Sequence, residues 1–203
     1  MRLRFAAFGL LLPILCGCLP DFIYNKVYVE PAEGGDLRDL RVLVVPFREE
    51  GRWYGESVTG RRISDTLEQV LKRGCSSDFL DSEEQRFVLD PIFDSVEPTI
   101  DWQALCKKHE LDAIVVGEVT ETGYGHQKVV GMLTGRLAVL VEVWRPEEGL
   151  TYSNELSKSF PDDPEHGEIA TAFQENRREI ESKLIGLTAA EIGDLLCGFD
   201  KHK

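Results

Sequence analysis

Two uninterrupted apolar runs constrain the fold of this chain more than any other feature of its sequence. Residues 41–47 read RVLVVPF and residues 111–119 read LDAIVVGEV, without the alternation of apolar and polar side chains that marks a half-exposed strand. Runs of this kind are typical of strands that are covered on both faces of a sheet. They therefore predict two central, buried strands of a globular domain.

Helical patterns lie between the predicted strands. Ser57 or Thr59 can cap a first helix whose apolar residues recur at helical spacing, and Asp101 can cap a second helix directly before the second apolar run. Between the two helices, residues 86–89 (RFVL) predict a short strand. Strand–helix–strand order that occurs twice implies right-handed crossovers and a partly parallel sheet.

The second half of the chain has a different pattern of apolar and polar residues. Residues 133–144 alternate between apolar and polar positions, residues 146–149 form a turn sequence, and a second alternating segment runs to Phe160. A long amphipathic helix should run from Ile169 to a stop at Gly198. Together these patterns predict an α/β fold: a three-layer or two-layer mixed sheet of about five strands, with two crossover helices and a long C-terminal helix.

The amino terminus has the pattern of an export signal. Two arginines precede an uncharged run over residues 5–15, which has the length of a secretory h-region and is too short to span a bilayer. The run ends in Leu-Cys-Gly-Cys, which resembles the bacterial lipoprotein signature. That resemblance implies a signal peptide over residues 1–17 and a lipidated Cys18, and Leu19 after it implies sorting to the outer membrane. An uncut signal anchor or an ordinary secretory peptide is the alternative.

Prolines and glycines dominate the segment that follows the predicted lipidation site. Residues 18–39 therefore predict a tether, and a single α/β domain should span residues 40–203. Beyond the leader, the cysteines are Cys75, Cys106 and Cys197. An exported location permits a disulfide, and Cys75 with Cys106 is the first pair to test. The favoured alternative is three partly buried thiols that serve as small apolar residues.

The search for catalytic motifs finds no GxSxG, HExxH or phosphate-binding loop. A net charge of −13 disfavours nucleic acid as a partner. Asp162, Asp163, Glu165 and His166 form the densest group of potential metal ligands, but acidic residues are also common where a helix begins, and we favour that explanation. We therefore expect no metal, no other cofactor and no catalysis.

The order of the predicted elements resembles the α/β module of the TolB amino-terminal domain and of envelope lipoproteins of the LpoB and CsgG kinds. The resemblance lies in residues 42–47, 63–74, 79–81 and 111–120, with Pro46-Phe47, Asp112 and Gly117 as its sharpest points. It implies an adaptor or assembly factor that is anchored in the membrane, which is a non-catalytic interaction protein of the cell envelope facing the periplasm. A metal-dependent hydrolase and a CsgG-like pore subunit with membrane strands in the hairpin are the alternatives.

The predicted hairpin supplies the candidate contact surface for other envelope proteins. If its odd-numbered residues pack on the core, then Ala138, Leu140 and Trp144 form a small exposed apolar patch on the other face, and such patches mark interaction sites. The alternative is that the terminal helix covers that face as well. Neither the partner nor the oligomeric state follows from the sequence.

Overall fold

The computed structural model describes residues 26–52, 54, 56–93, 100–126, 133–160 and 177–202. These residues form eight strands and four helices. In chain order, the elements are β1 (Lys26–Val29), β2 (Arg41–Val44), β3 (Arg48–Glu49), α1 (Val58–Gly74), β4 (Asp78–Phe79), α2 (Ser82–Phe93), α3 (Trp102–Lys108), β5 (Ala113–His126), β6 (Leu133–Arg145), β7 (Gly149–Phe160), α4 (Arg177–Cys197) and β8 (Phe199–His202).

The main sheet is mixed and has the strand order β4-β2-β5-β6-β7. β2 pairs in parallel with both β4 and β5, whereas β6 and β7 follow β5 as antiparallel neighbours. The short β3 also pairs in parallel with β5, farther along it than β2, so the two occupy one side of β5 in succession. The fold-class prediction, with about five strand positions and a long C-terminal helix, is confirmed.

Helices cover both faces of the central strands, which makes the domain three-layered. Val42 and Val44 of β2 pack into a core cluster with α1 and α4, whereas Leu43 and Val45 pack into a second cluster with α2 and α3. This arrangement explains why residues 42–45 are all apolar. Fully burying such a side chain contributes about 1.5–3 kcal/mol to folding.

The crossover helices begin where their caps predict. Ser57 caps α1 by accepting a hydrogen bond from the backbone N–H of Gly60 at 2.7 Å, and Asp101 caps α3 by accepting one from Ala104 at 2.9 Å. At the other end of the chain, Gly198 follows α4 with a φ of +70°, which is the left-handed conformation that favours glycine at a helix end.

The predicted strand at residues 86–89 is wrong, because these residues lie within α2. The Asp81 carboxylate accepts hydrogen bonds from the backbone N–H groups of Glu83 and Glu84, and the Glu84 carboxylate accepts one from the N–H of Asp81. This reciprocal capping starts a helix. The buried residues Val88 and Leu89 face the core at helical spacing, and the parallel neighbour of β2 is instead the short β4.

Residues 26–39 belong to the domain rather than to a free tether. β1 pairs antiparallel with β8, and Leu37 is completely buried in the cluster that contains α1 and α4. The domain therefore begins by Lys26 and not at Leu40. The signal peptide, Cys18 and the predicted start of the terminal helix at Ile169 lie outside the described residues.

The cysteine predictions are also corrected. Cys75 and Cys197 form a disulfide with their Cα atoms 4.9 Å apart, and Cys106 is a buried free thiol. Cys75 follows α1 and Cys197 ends α4, and both helices pack on the same side of the sheet. Cys106 lies on α3 across the sheet, so it could not reach Cys75. The alternative of three free thiols is wrong as well.

Candidate interaction surface

None of the four described helices covers about half of one sheet face. α2 and α3 pack against the part of the sheet that contains β2 and the first residues of β5, and they do not extend over the far parts of β6 and β7. The even-numbered residues of β6 occupy this area, and cross-strand partners share a face. We call it the open sheet face, and its members are Glu118, Glu121, Arg136, Ala138, Leu140, Glu142, Ser153, Glu155, Ser157 and Ser159.

The opposite face of the same strands is core. Leu137, Val139, Val141 and Val143 of β6 are buried in the cluster that contains α1 and α4. This confirms the predicted half-exposed hairpin, whose odd-numbered residues pack inward. The alternative was that the terminal helix covers the other face as well, but its described part, α4, packs against the odd-numbered side and so does not cover the open sheet face.

Leu140 lies at the centre of the open sheet face and is half-buried. Its register partners are Glu118 on β5 and Glu155 on β7. Together with Arg48, Tyr54 and other neighbours, Leu140 lines a shallow notch between the segment after β3 and the sheet. An apolar side chain therefore lies between two carboxylates, with its outer surface accessible.

Charged side chains surround Leu140, and acidic ones predominate. Glu118 forms an ion pair with Arg48 at 2.5 Å, and Glu121 forms one with Arg136 at 3.3 Å. Glu155 instead accepts a hydrogen bond from a threonine hydroxyl. Partly exposed pairs of this kind contribute only about 0–1 kcal/mol each, so they leave the charge pattern free to serve recognition.

Aromatic and cation–π contacts hold Tyr54 in the wall of the notch. The Tyr54 ring packs edge-on against Trp102 with 5.4 Å between the ring centroids, and the Arg48 guanidinium lies 5.8 Å from the centre of the Tyr54 ring. Burial raises the pKa of the Tyr54 phenol, which therefore stays protonated at neutral pH.

Of the three predicted contact residues, Ala138 is not accessible on this face. Ala138 is 4% exposed, because Arg136 reaches across it: the Arg136 Nε lies 3.3 Å from a Glu121 carboxylate oxygen and 3.2 Å from the Ser157 hydroxyl, which belong to the two register partners of Ala138. The predicted exposed apolar patch is therefore wrong at Ala138.

Trp144 is also only half-exposed, because it packs into the core cluster that contains α3. Its indole N–H donates to the Glu142 carboxylate at 3.1 Å, and its carbonyl oxygen lies 3.6 Å from the Cys106 sulfur. Leu140 and the exposed part of Trp144 thus remain as the accessible apolar surface of the predicted set.

A second concave region lies beside α2, where the sequence analysis predicted no site. Phe87 is 74% exposed there and meets the ring of His109 edge-on, with 6.1 Å between centroids. Burial, with a smaller contribution from Lys108, lowers the pKa of His109, so the imidazole is neutral at pH 7. The sequence signal that could have located this groove is the acidic start of α2 at Glu83 and Glu84, which marks a helix.

The described residues contain no group of three or more His, Cys, Asp or Glu side chains that could hold a metal ion. The cluster predicted at residues 162–166 lies outside them. Burial raises the pKa of the Cys106 thiol to about 11, so this cysteine is not an activated nucleophile. None of the four helices in the described ranges combines the length and the apolar composition needed to cross a bilayer.

No protein-family model and no curated protein matches this sequence. Solved structures with a similar arrangement include lipoprotein GNA1162 from Neisseria meningitidis, which is 12% identical with a TM-score of 0.48, the alignment covering 76% of this chain and 98% of that one. The hypothetical protein CT253 from Chlamydia trachomatis is 15% identical, with a TM-score of 0.42 and coverage of 72% and 95%.

The PelC dodecamer from Paraburkholderia phytofirmans is also similar: it is 9% identical with a TM-score of 0.46, and the alignment covers 81% of this chain and 94% of that one. Similarities at this level establish neither a family nor a function.

Proposed function

We propose that this protein is a lipid-anchored lipoprotein of the cell envelope, held in the outer membrane by Cys18, and that its α/β domain binds another envelope protein without catalysing a reaction. The observation that carries the proposal is the open sheet face. Within the described residues, helices cover both sides of the sheet at β2 and the start of β5, and they leave one side of β6 and β7 uncovered, where Leu140 is accessible among charged side chains.

The chemistry of this face favours a protein partner with a small apolar contact and basic residues around it. Leu140 offers the apolar centre, and the carboxylates of Glu118, Glu142 and Glu155 outnumber the nearby guanidiniums. A partner that covers Leu140 removes apolar surface from water, while complementary charges fix the orientation and speed the encounter. An apolar centre with a polar rim is the usual arrangement of a protein interface.

Replacing Leu140 with lysine tests the surface. The ammonium group would lie beside the carboxylates of Glu118 and Glu155, so the variant should fold, with a melting temperature within a few degrees of the wild type. We expect Leu140→Lys to lose the proteins that co-purify with the wild-type chain from solubilised membranes, as identified by mass spectrometry.

Leu187→Lys is the matched control, because Leu187 is 46% exposed and lies on α4, which packs on the opposite face of the sheet. It should retain every partner. A folded Leu140→Lys protein that still recovers the same partners would rule out the open sheet face as the binding surface.

The anchor has its own test. Radiolabelled palmitate should be incorporated into the wild-type protein and not into Cys18→Ser, which should leave the membrane fraction. Cys106→Ser is the control, because it removes a cysteine that is buried in the domain. A Cys18→Ser protein that is still labelled would refute the lipid anchor and leave the surface test unaffected.

A further inference from the structure

Several elements of the domain begin or end at one level of the sheet. The parallel strands β2, β4 and β5 start there together, because Arg41 is the register partner of Asp78 and its carbonyl accepts from the N–H of Asp112 at 3.0 Å. α1 ends at the same level, since the Cys75 carbonyl accepts from the N–H of Asp39, two residues before β2. We call this end the base of the domain.

Two further helix ends and a turn also lie at the base. The Leu196 carbonyl at the end of α4 accepts from the backbone of the segment that precedes β2. Only residues 109–112 separate α3 from the start of β5. β6 runs antiparallel to β5, so the turn at residues 146–148 lies at the base as well. The Lys107 ammonium of α3 lies 3.7 Å from a Glu147 carboxylate oxygen in this turn.

The described chain enters the domain at the base. β1 begins at Lys26 and pairs with β8, the strand that directly follows α4. The Tyr28 hydroxyl donates to the Cys197 carbonyl at 3.0 Å, which attaches β1 to the end of α4. From the proposed anchor at Cys18 the chain advances eight residues to Lys26. At most about 29 Å can therefore separate these two residues.

Large apolar side chains are exposed at the base. Among the described residues, Phe87 is 74% exposed, Leu150 44% and Tyr28 43%. Phe87 meets the ring of His109, the residue that follows α3, and Leu150 follows the turn after β6. Three elements that are distant in sequence thus place exposed apolar surface at the same end. Such surface marks sites that contact proteins or membranes.

The other two large apolar side chains that are exposed in the described part of the chain lie elsewhere. Val58 begins α1, a helix of 17 residues that ends at the base, so it lies about 25 Å from that end. Leu187 lies in the middle of α4. Both are single exposed apolar residues and serve as matched positions for comparison.

The charges at the base have both signs. α3 ends with Lys107 and Lys108, whereas α2 begins with Glu83 and Glu84, and Glu84 forms an ion pair with Arg41 at 3.3 Å. No single sign dominates among these groups, so attraction to an anionic surface is not what distinguishes this end. Its exposed apolar side chains are.

We propose that the base of the domain lies on the phospholipid surface, with Phe87 and Leu150 inserted among the headgroups, an inference that rests on the proposed lipid anchor at Cys18. Removal of apolar surface from water drives this contact. Tyr28 carries an apolar ring with a polar end, which suits the boundary between lipid and water. The anchor keeps the base close to the bilayer, so a weak intrinsic affinity for lipid is enough.

The short connection to the anchor favours lipid over a protein as the occupant of the base. A partner of domain size is about 30 Å across and would fit between base and bilayer only with that chain fully stretched. The open sheet face extends along β6 and β7 away from the base. On a membrane-bound domain it therefore lies at the side, where another envelope protein can reach it.

Nitroxide spin labels on the full, lipidated chain test this orientation. The labelled variants are Phe87→Cys and Leu150→Cys at the base, with Val58→Cys and Leu187→Cys as matched controls; Cys106 is buried and does not compete for the label. In phosphatidylcholine vesicles, the accessibility of each label to oxygen, which concentrates in lipid, is compared with its accessibility to a water-soluble nickel complex. The two labels at the base should shift towards oxygen, and the two controls should remain accessible to nickel.

A second variant tests whether the apolar side chains hold the base on the lipid. Burying a phenylalanine side chain changes an equilibrium constant at least about tenfold. Phe87→Ser should lower the ratio of bound to unbound domains by up to that factor, so the label in Leu150→Cys should shift back towards nickel. Leu187→Ser is the control and should leave that label unchanged. Both serines replace exposed side chains, and melting temperatures confirm that the variants fold.

Equal accessibility at all four positions would overturn the proposal. Labels at the base that are shielded from both reagents would also overturn it, because a second copy of the chain would then cover the base. Flotation of the vesicles reports on the anchor separately. A chain that does not float with the vesicles refutes the anchor and this inference with it, whereas a floating chain with four equally accessible labels refutes the orientation alone.

Discussion

The contact between Gly117 of β5 and the ring of Phe47 gives a direct test of how β5 packs against the segment that follows β2. A Cβ atom at Gly117 would lie 2.3 Å from Cε2 of Phe47 and 2.5 Å from two further ring atoms. Phe47 is completely buried, so the ring cannot move into solvent. Gly117→Ala should therefore force either the ring or β5 to shift.

The expected loss follows from two opposing effects. Replacing glycine by alanine in a strand reduces the entropy of the unfolded chain and stabilises the fold by about 0.4–1 kcal/mol. Overpacking a filled core costs about 1–3 kcal/mol. Gly123→Ala on the same strand supplies the first effect alone, because a Cβ atom there meets nothing within 4 Å. Gly117→Ala should thus be about 1–3 kcal/mol less stable than Gly123→Ala.

Urea unfolding followed by circular dichroism measures the difference, and melting temperatures should differ by roughly 3–10 °C. The double variant Phe47→Leu/Gly117→Ala isolates the contact, because removing the ring should make the alanine much less costly. If Gly117→Ala and Gly123→Ala are equally stable, the packing of Phe47 under β5 is wrong.

Two further predictions concern the cysteines and Asp36. When the mature protein is unfolded without reductant, iodoacetamide should label one thiol, that of Cys106, and with reductant it should also label Cys75 and Cys197. In the native state it should label none at pH 8, because burial raises the pKa of the Cys106 thiol to about 11. Hydrogen bonds from Arg38 lower the pKa of Asp36 despite its partial burial. The ionised Asp36 therefore stabilises the fold fully above the ordinary pKa of 3.8, and this stabilisation is lost as the pH falls through the lower folded-state pKa. Asp36→Asn should remove that part of the acid-induced decrease in melting temperature.

The central sheet could be predicted because its signals are local. The burial of a strand such as the one in residues 41–47, and the start of a helix at a cap such as Asp101, can each be predicted from a few neighbouring residues. The hairpin also carries its own evidence, since each second residue of β6 faces the core. The error at residues 86–89 arises because a four-residue apolar run fits either period, and the capping residues Asp81 and Glu84 decide for the helix.

The disulfide and the position of residues 28–39 could not be predicted from local sequence patterns, because both depend on contacts between distant parts of the chain. Cys75 and Cys197 are separated by 122 residues, and their proximity follows from α1 and α4 packing on the same face. Residues 28–39 have the sequence of a linker, because their prolines and glycines do not recur at the spacing of a helix or a strand. Their hydrogen-bond partners include the carbonyls at the end of α4, which no local sequence pattern reveals.

The candidate surface could likewise be predicted only in part from the sequence. The alternation in β6 correctly indicates which residues face away from α4, but it cannot indicate what lies above them. Trp144 packs partly against the cluster that contains α3, and the Arg136 side chain lies over Ala138, so the accessible apolar area is smaller than the predicted patch. The proposed partner would therefore contact a small apolar area within a charged surface. Its specificity would depend on the surrounding carboxylates, and a positive charge introduced at position 140 should affect binding more than folding.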